Sequence, residues 1–182
     1  KQYAALLDDY VERTAKAHRY SYDFMNRRMK FLFTSLLISD CVARGKAVLD
    51  GGAGYLGGTL ETYGNINAAD SLAAVKYWVF DKKKYTLRQI VDAAGKNFEG
   101  EERLRRDLLA APKYGNDDPY ADDIAVSLHE YICRKVSDQA KPDGFHSYNV
   151  VVINNQVNTE WGRMTSASAD GRLSSMYMNN GN

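Results

Sequence analysis

Six glycines crowd one short stretch: Gly51, Gly52, Gly54, Gly57, Gly58 and Gly64. Glycine loses more freedom on ordering than any other residue, and it tolerates positive φ and close backbone approach. That density predicts an irregular connection over residues 49–65 whose backbone packs tightly. The chain around it must therefore supply its regular structure on either side.

On the N-terminal side the pattern is helical. Tyr3, Leu6, Leu7, Tyr10, Ala17 and Phe24 recur near a 3.6-residue period, predicting one amphipathic helix over about residues 2–27. Phe31, Leu32, Phe33, Leu36, Leu37, Cys41 and Val42 predict a second over 30–44, stopped by Gly45. Beyond the glycines, Asp70 or Ser71 is read as the cap of a helix to about Val79, and Thr86 as the cap of one to Lys96. A charged helix, Glu101 to Ala111, is ended by Pro112. Asp117–Asp123 opens another, to about Val136. Pro142-Asp143-Gly144 is a turn, and the β-branched run Asn149–Asn154 is the one clear strand. Nothing divides the chain, so residues 1–182 read as a single fragment. Lys1 falls at helical sequence and Met178–Asn182 halts in turn chemistry, so both ends are expected to be truncations.

Composition narrows the function. A formal net charge of +1 offers no basic field for nucleic acid. No apolar run approaches the roughly 20 residues that span a bilayer. Cys41 and Cys133 form no Cys-x-x-Cys pair, and a reduced, cytoplasmic setting is expected.

Four constellations invite a chemical reading. Gly52-Ala53-Gly54-Tyr55-Leu56-Gly57 is formally G-x-G-x-x-G, and Tyr131 and Lys135 form Tyr-x-x-x-Lys. Together they suggest a nucleotide-dependent oxidoreductase. Against that, only Ala47-Val48-Leu49 precedes the loop, and residues 86–136 read as consecutive helices. His129 and Cys133 share a helix face, but no third metal ligand lies nearby. Asp117, Asp118, Asp122 and Asp123 fail the EF-hand spacing and suit a helix N-terminus. Lys82-Lys83-Lys84 reads as a solvated turn. A non-catalytic helical interaction module is the remaining alternative, favoured if the strand stands alone.

Five segments, in one order, resemble glycyl radical enzymes of the pyruvate formate-lyase-like family. They are Asp40–Lys46 leading into Asp50–Tyr55, Asn67–Lys76, Asn97–Gly100, Pro112–Asp118 and Ala169–Arg172. The resemblance implies an α/β, mostly helical fragment, a partial arc of a ten-stranded α/β barrel with surrounding helices. It implies lyase, dehydratase or formate C-acetyltransferase chemistry in an anaerobe: a thiyl radical takes hydrogen from a small substrate, which then eliminates or cleaves. It also implies a glycyl radical installed by an S-adenosylmethionine iron–sulfur activating enzyme, a partner alongside the rest of the barrel.

Neither radical residue of that family is present. Cys41 follows Asp40 instead of Gly and precedes Val42-Ala43 instead of Val-Glu, and it reads as a buried helical residue; no Arg-Val-x-Gly-Tyr occurs. No catalytic residue, bound cofactor or metal is therefore assigned, and the fragment alone is expected to be inactive. The resemblance makes the segment at 149–155 a barrel strand, with Ile153, Asn155 and, by parity, Val151 lining the substrate pocket. An inward Asn155 favours a diol or other hydroxylated substrate. Asp170 and Arg172 are read as structural, an Asp-Gly turn with Arg holding loop carbonyls or a carboxylate. Strand edges and helix faces left bare by the missing barrel predict a homo-oligomer.

Overall fold

The computed structural model describes residues 2–152 and 156–179. Its elements are α1 (Gln2–Met29), α2 (Leu32–Leu36), α3 (Ser39–Arg44), β1 (Gly57–Thr62), α4 (Asn65–Val75), α5 (Leu87–Gly95), α6 (Glu102–Leu109), α7 (Pro119–Asp138), β2 (Ser147–Val152) and α8 (Val157–Arg163). They fall into two compact units. One comprises the described residues up to 61 with 131–151; the other comprises 62–130 with those from 152 onward.

In the first unit α1 buries Val11 and Ala15. Its His18 and Tyr22 rings pack edge-on or tilted against Phe145, at 5.4 and 5.8 Å between centroids. Phe145 in turn stacks on Tyr148 at 5.2 Å. The helix expected over 30–44 is broken in two. Phe31 takes a left-handed φ of 47° and Ile38 is extended, so α2 and α3 form separately. Gly45 ends α3 in the left-handed conformation, as its position predicts.

The glycine stretch holds a strand that the pattern hides. Within it, residues 57–62 form β1, which pairs with β2. Gly57 lies on Ser147, Gly58 on Tyr148, and His146 N–H donates to Leu56 O, so the offset stays at 90 residues (147 − 57, 148 − 58 and 146 − 56). A constant offset means a parallel pair. A Cβ on Gly58 would sit 2.8 Å from two carbons of the Tyr148 ring. Glycine is needed here for close approach within a strand. Because β2 is paired, the solitary-strand condition for a helical interaction module is not met.

The second unit has an apolar core of Ala74, Ile90, Ala93, Phe98, Leu104, Leu108 and Ala111. Thr86 caps α5 as expected, through a reciprocal capping box with Gln89. Helix α4 begins at Asn65, six residues ahead of the expected Ser71, because Gly64 supplies a left-handed entry at φ 72°. Asp70 is consequently inside the helix and buried, not a cap. A wide turn, Lys76–Asp81, continues α4, and Trp78 Nε1 donates from it to Asp107 O at 2.8 Å. Helix α8, unmarked in the sequence, packs Gly162 against the C-terminal strap.

A Cβ on Gly162 would collide with Met176 O and stand 2.7 Å from Tyr177 Cα. Both are backbone atoms, so neither yields by a rotamer change. Gly162→Ala is expected to cost roughly 1–3 kcal/mol or more, as overpacking does. Chemical denaturation should show the lower midpoint, and limited proteolysis should cut within 165–178 before any other site.

Candidate functional site

Strand β2 carries the predicted pocket residues. Val151 lies near its C-terminal end and is half-buried. Ile153 and Asn155 lie outside the described residues. Side chains alternate along a strand, so Val151 faces opposite Val152. Val152 lines a cavity of about 380 Å³ with Ile66 of α4, Tyr114, and Ala125, Val126 and Leu128 of α7, and the polar residues Asn65, His129 and Glu130 also border it. The cavity behind β2 therefore belongs to Val152, and Val151 faces away from it.

A second cavity, of about 500 Å³, draws together three segments distant in sequence. Asp70 of α4, Lys113-Tyr114 and Asp170-Gly171-Arg172 all line it. Asn67 Nδ2 donates to Asp170 Oδ2 at 2.6 Å, and Asn67 Oδ1 accepts from Asn179 N–H at 2.8 Å. Asp170 Oδ1 also accepts from Ser168 Oγ at 2.5 Å and from Arg172 N–H at 3.2 Å. Asp70 Oδ1 accepts the Tyr114 N–H at 2.9 Å. Lys113 Nζ donates to the carbonyls of Leu108 (2.7 Å) and Ala111 (3.2 Å), closing the C-terminus of α6. The Arg172 guanidinium grips the carbonyls of Leu173, Met176 and Ser166. The expectation that Asp170 and Arg172 hold loop backbone is met.

Burial sets the electrostatics of this cluster. It raises the Asp70 pKa above the usual carboxylate value, opposed by the Tyr114 N–H bond and Lys113. It lowers the Lys113 pKa, opposed by Asp70 and Asp170. The arrangement is a set of charged braces: Asp70 and Lys113 bond to backbone, Asp170 bonds to Asn67, Ser168 and the Arg172 N–H, and Arg172 grips carbonyls. Sequence reasoning quoted these segments without seeing that they converge. The available signal was Asn67 and Asp70 three residues apart on α4, with Ala74 four further, polar groups on a face that is otherwise core.

The other candidates resolve locally. After Gly52–Gly57 the chain enters β1, not a helix, so no helix N-terminus awaits a pyrophosphate. The loop closes on α3 instead: Gly54 N–H donates to Asp40 Oδ2 at 3.0 Å, and a Cβ on Gly52 would lie 2.8 Å from Cys41 Sγ. Tyr131 donates to Asp8 Oδ1 at 2.8 Å, which raises its pKa, the reverse of what a catalytic tyrosine needs. Lys135 pairs with the same Asp8 at 3.0 Å. The oxidoreductase reading is corrected on both counts. Cys41 is buried in α3 as expected. Asp118 accepts the Tyr120 N–H at 2.9 Å where α7 starts. Lys84 pairs with Asp107 at 2.6 Å and Lys82 lies over the Tyr77 ring. Among the described residues no three His, Cys, Asp or Glu side chains form a metal-binding group, so His129 and Cys133 gain no third ligand. No helix among them is long and apolar enough to cross a membrane.

The sign of the Asp70 shift makes a test. Its folded pKa lies above the unfolded value of 3.8, so its contribution to stability is complete below 3.8 and is lost as pH rises through the folded pKa. Asp70→Asn keeps an acceptor for Tyr114 without the buried charge. The wild type should therefore gain on Asp70→Asn as pH falls from 7 to 3.5. Asp70→Ala strands the Tyr114 N–H and should cost about 1–3 kcal/mol at either pH. Urea denaturation of the three proteins at the two pH values checks both statements.

Comparison with known proteins agrees with this geometry. A family profile described as pyruvate formate lyase-like matches residues 1–160. The (2S)-3-sulfopropanediol dehydratase of Klebsiella oxytoca is 37% identical over 143 residues, 77% of this chain and 17% of that protein. The trans-4-hydroxy-L-proline dehydratase of Clostridioides difficile is 36% identical over 141 residues, 76% of this chain and 18% of that protein. The glycerol-bound B12-independent glycerol dehydratase from Clostridium butyricum superimposes with a TM-score of 0.92 at 29% identity, over 98% of this chain and 22% of that one. The chain thus spans about a fifth of the length of these relatives.

Proposed function

Because the chain belongs to the pyruvate formate lyase-like family of glycyl radical enzymes, we propose that it is one arc of the barrel wall in a longer glycyl radical dehydratase. The observation that carries this is identity of 36–37% over three quarters of the chain with two dehydratases. The braced cluster at Asp70, Lys113 and Asp170 supports it, since its groups bond to the surrounding chain and anchor structure.

In this reading the radical chemistry lies outside the chain. A thiyl radical, formed from a glycyl radical, takes a hydrogen atom from the substrate carbon; a neighbouring hydroxyl departs as water with a proton given up by the substrate, and the product radical regains the hydrogen atom from the thiol. An S-adenosylmethionine iron–sulfur enzyme would install the glycyl radical. What these residues contribute is a wall. Val151, Ile153 and Asn155 line the pocket from β2 and its continuation, with Asn155 supplying a polar contact to a hydroxylated substrate. Acyl transfer, as in pyruvate formate-lyase, is the less favoured chemistry, because the pocket positions of that enzyme are apolar where this chain has Asn155.

Asn155→Leu in the full-length, anaerobically activated enzyme tests the assignment. Loss of one substrate hydrogen bond should lower kcat/KM about 10- to 100-fold, the equivalent of roughly 1–3 kcal/mol. The glycyl radical signal by electron paramagnetic resonance should be undiminished. Unchanged kcat/KM on every hydroxylated substrate turned over would remove Asn155 from the pocket.

A further inference from the structure

Helix α1 has two apolar faces, and its unit uses one. At about 100° per residue, Val11, Ala15, His18 and Tyr22 share one side of the helix. That side is packed, through buried Val11 and Ala15 and the rings around Phe145 and Tyr148. Tyr3, Leu6, Tyr10, Ala17, Tyr20 and Phe24 follow steps of three, four and seven along roughly the opposite side. Apart from Tyr20, these are residues whose period predicts the amphipathic helix, and they face solvent. Tyr3 is 47% exposed, Leu6 59%, Tyr10 66%, Tyr20 68% and Phe24 50%. Of the α1 ion pairs, Glu12–Lys16 and Arg19–Asp23 occupy the flank between the faces, while Asp9–Arg13 borders the outer stripe and brings Arg13 into its middle. A surface helix needs one apolar stripe; a helix with two is built to lie between layers.

We infer that the outer stripe of α1 is a docking seam, and that its occupant is the remainder of the longer polypeptide. This rests on reading the chain as a segment of such a polypeptide. Relatives carry about four-fifths of their length outside the matched region, which is ample to cover it. The covering surface is apolar and offers carbonyl or carboxylate acceptors to the hydroxyls of Tyr3, Tyr10 and Tyr20. A second copy fits poorly. Arg13 falls at the midpoint of the stripe, so either parallel or antiparallel self-pairing sets it against its own counterpart. The same unit also bares Leu32, Phe33, Leu36 and Leu37 beside an apolar groove of about 400 Å³ lined by Leu32, Leu36, Cys41 and Val42. Apolar surface concentrated in this way marks an interaction face.

The test is carbene footprinting of the full-length enzyme, read at residue level against an unfolded peptide covering residues 2–29. Labelling of Tyr3, Leu6, Tyr10, Tyr20 and Phe24 should fall roughly tenfold or more, the contrast between exposed and core positions, at every protein concentration. Labelling equal to that of the peptide overturns the seam. Protection that appears only as subunits associate overturns the occupant and assigns the seam to a second copy. The glycyl radical signal, measured on the same preparation, reports the enzyme reading separately, so a silent spectrum with a protected stripe would sink that reading and leave the seam standing.

Discussion

The bond from Asn67 to Asp170, made across 103 residues of sequence and buried at both ends, orders the second unit. Residues 166–179 have no helix or strand of their own. An irregular segment is held only if its polar groups are met, because burying them unmet costs more than its few apolar contacts return. Asp170 meets that condition with three donors, and Arg172 does so by gripping three carbonyls of the same segment. The carboxylate and the guanidinium, adjacent but for one glycine, do not pair with each other. Each is spent on fixing the path of the backbone, which explains why Gly171 between them must take φ 92°.

Local signals were legible where a single turn decides the outcome. Thr86 with Gln89, Gly45 after Arg44, and Pro112 after the charged helix each act within four residues, and each did what its chemistry dictates. The failures share a different cause. Gly57 and Gly58 lower strand propensity, so β1 looked like loop, but the space beneath Tyr148 requires residues without a side chain. Asp70 resembles a cap in isolation, and only the Tyr114 N–H, 44 residues away, explains a carboxylate in the middle of α4. Periodicity on α1 identified a real apolar stripe, which lies outside the packing of its own unit. A hydrophobic pattern reports that a surface is covered; it does not say by what.

The candidate site follows the same division. The strand at β2 was visible as a β-branched run, and its first two residues were missed because Ser147 and Tyr148 break that composition. Alternation then separates Val152, which closes a cavity with α4 and α7 residues, from Val151 on the opposite face. A barrel strand is covered on both faces, by helices outside and by substrate or packed side chains within. The two faces of β2 are therefore unlike, Val152 lining that cavity and Val151 turned away from it, an asymmetry between the sides of the strand.

The same asymmetry bears on stability. Each large apolar side chain contributes about 1.5–3 kcal/mol when fully buried. Domains are stable by only about 5–15 kcal/mol. Leaving Leu6, Tyr10, Tyr20 and Phe24 in water therefore forgoes an amount comparable with the whole margin of a small domain. Each unit nevertheless has buried residues of its own, and the second has its braces at Asp70, Lys113, Asp170 and Arg172. Each unit is organised around its own core, while part of the hydrophobic driving force of α1 is withheld until its outer stripe is covered. Folding and assembly of the barrel would then be one event, with the apolar stripe making this wall depend on the rest of the structure it helps to enclose.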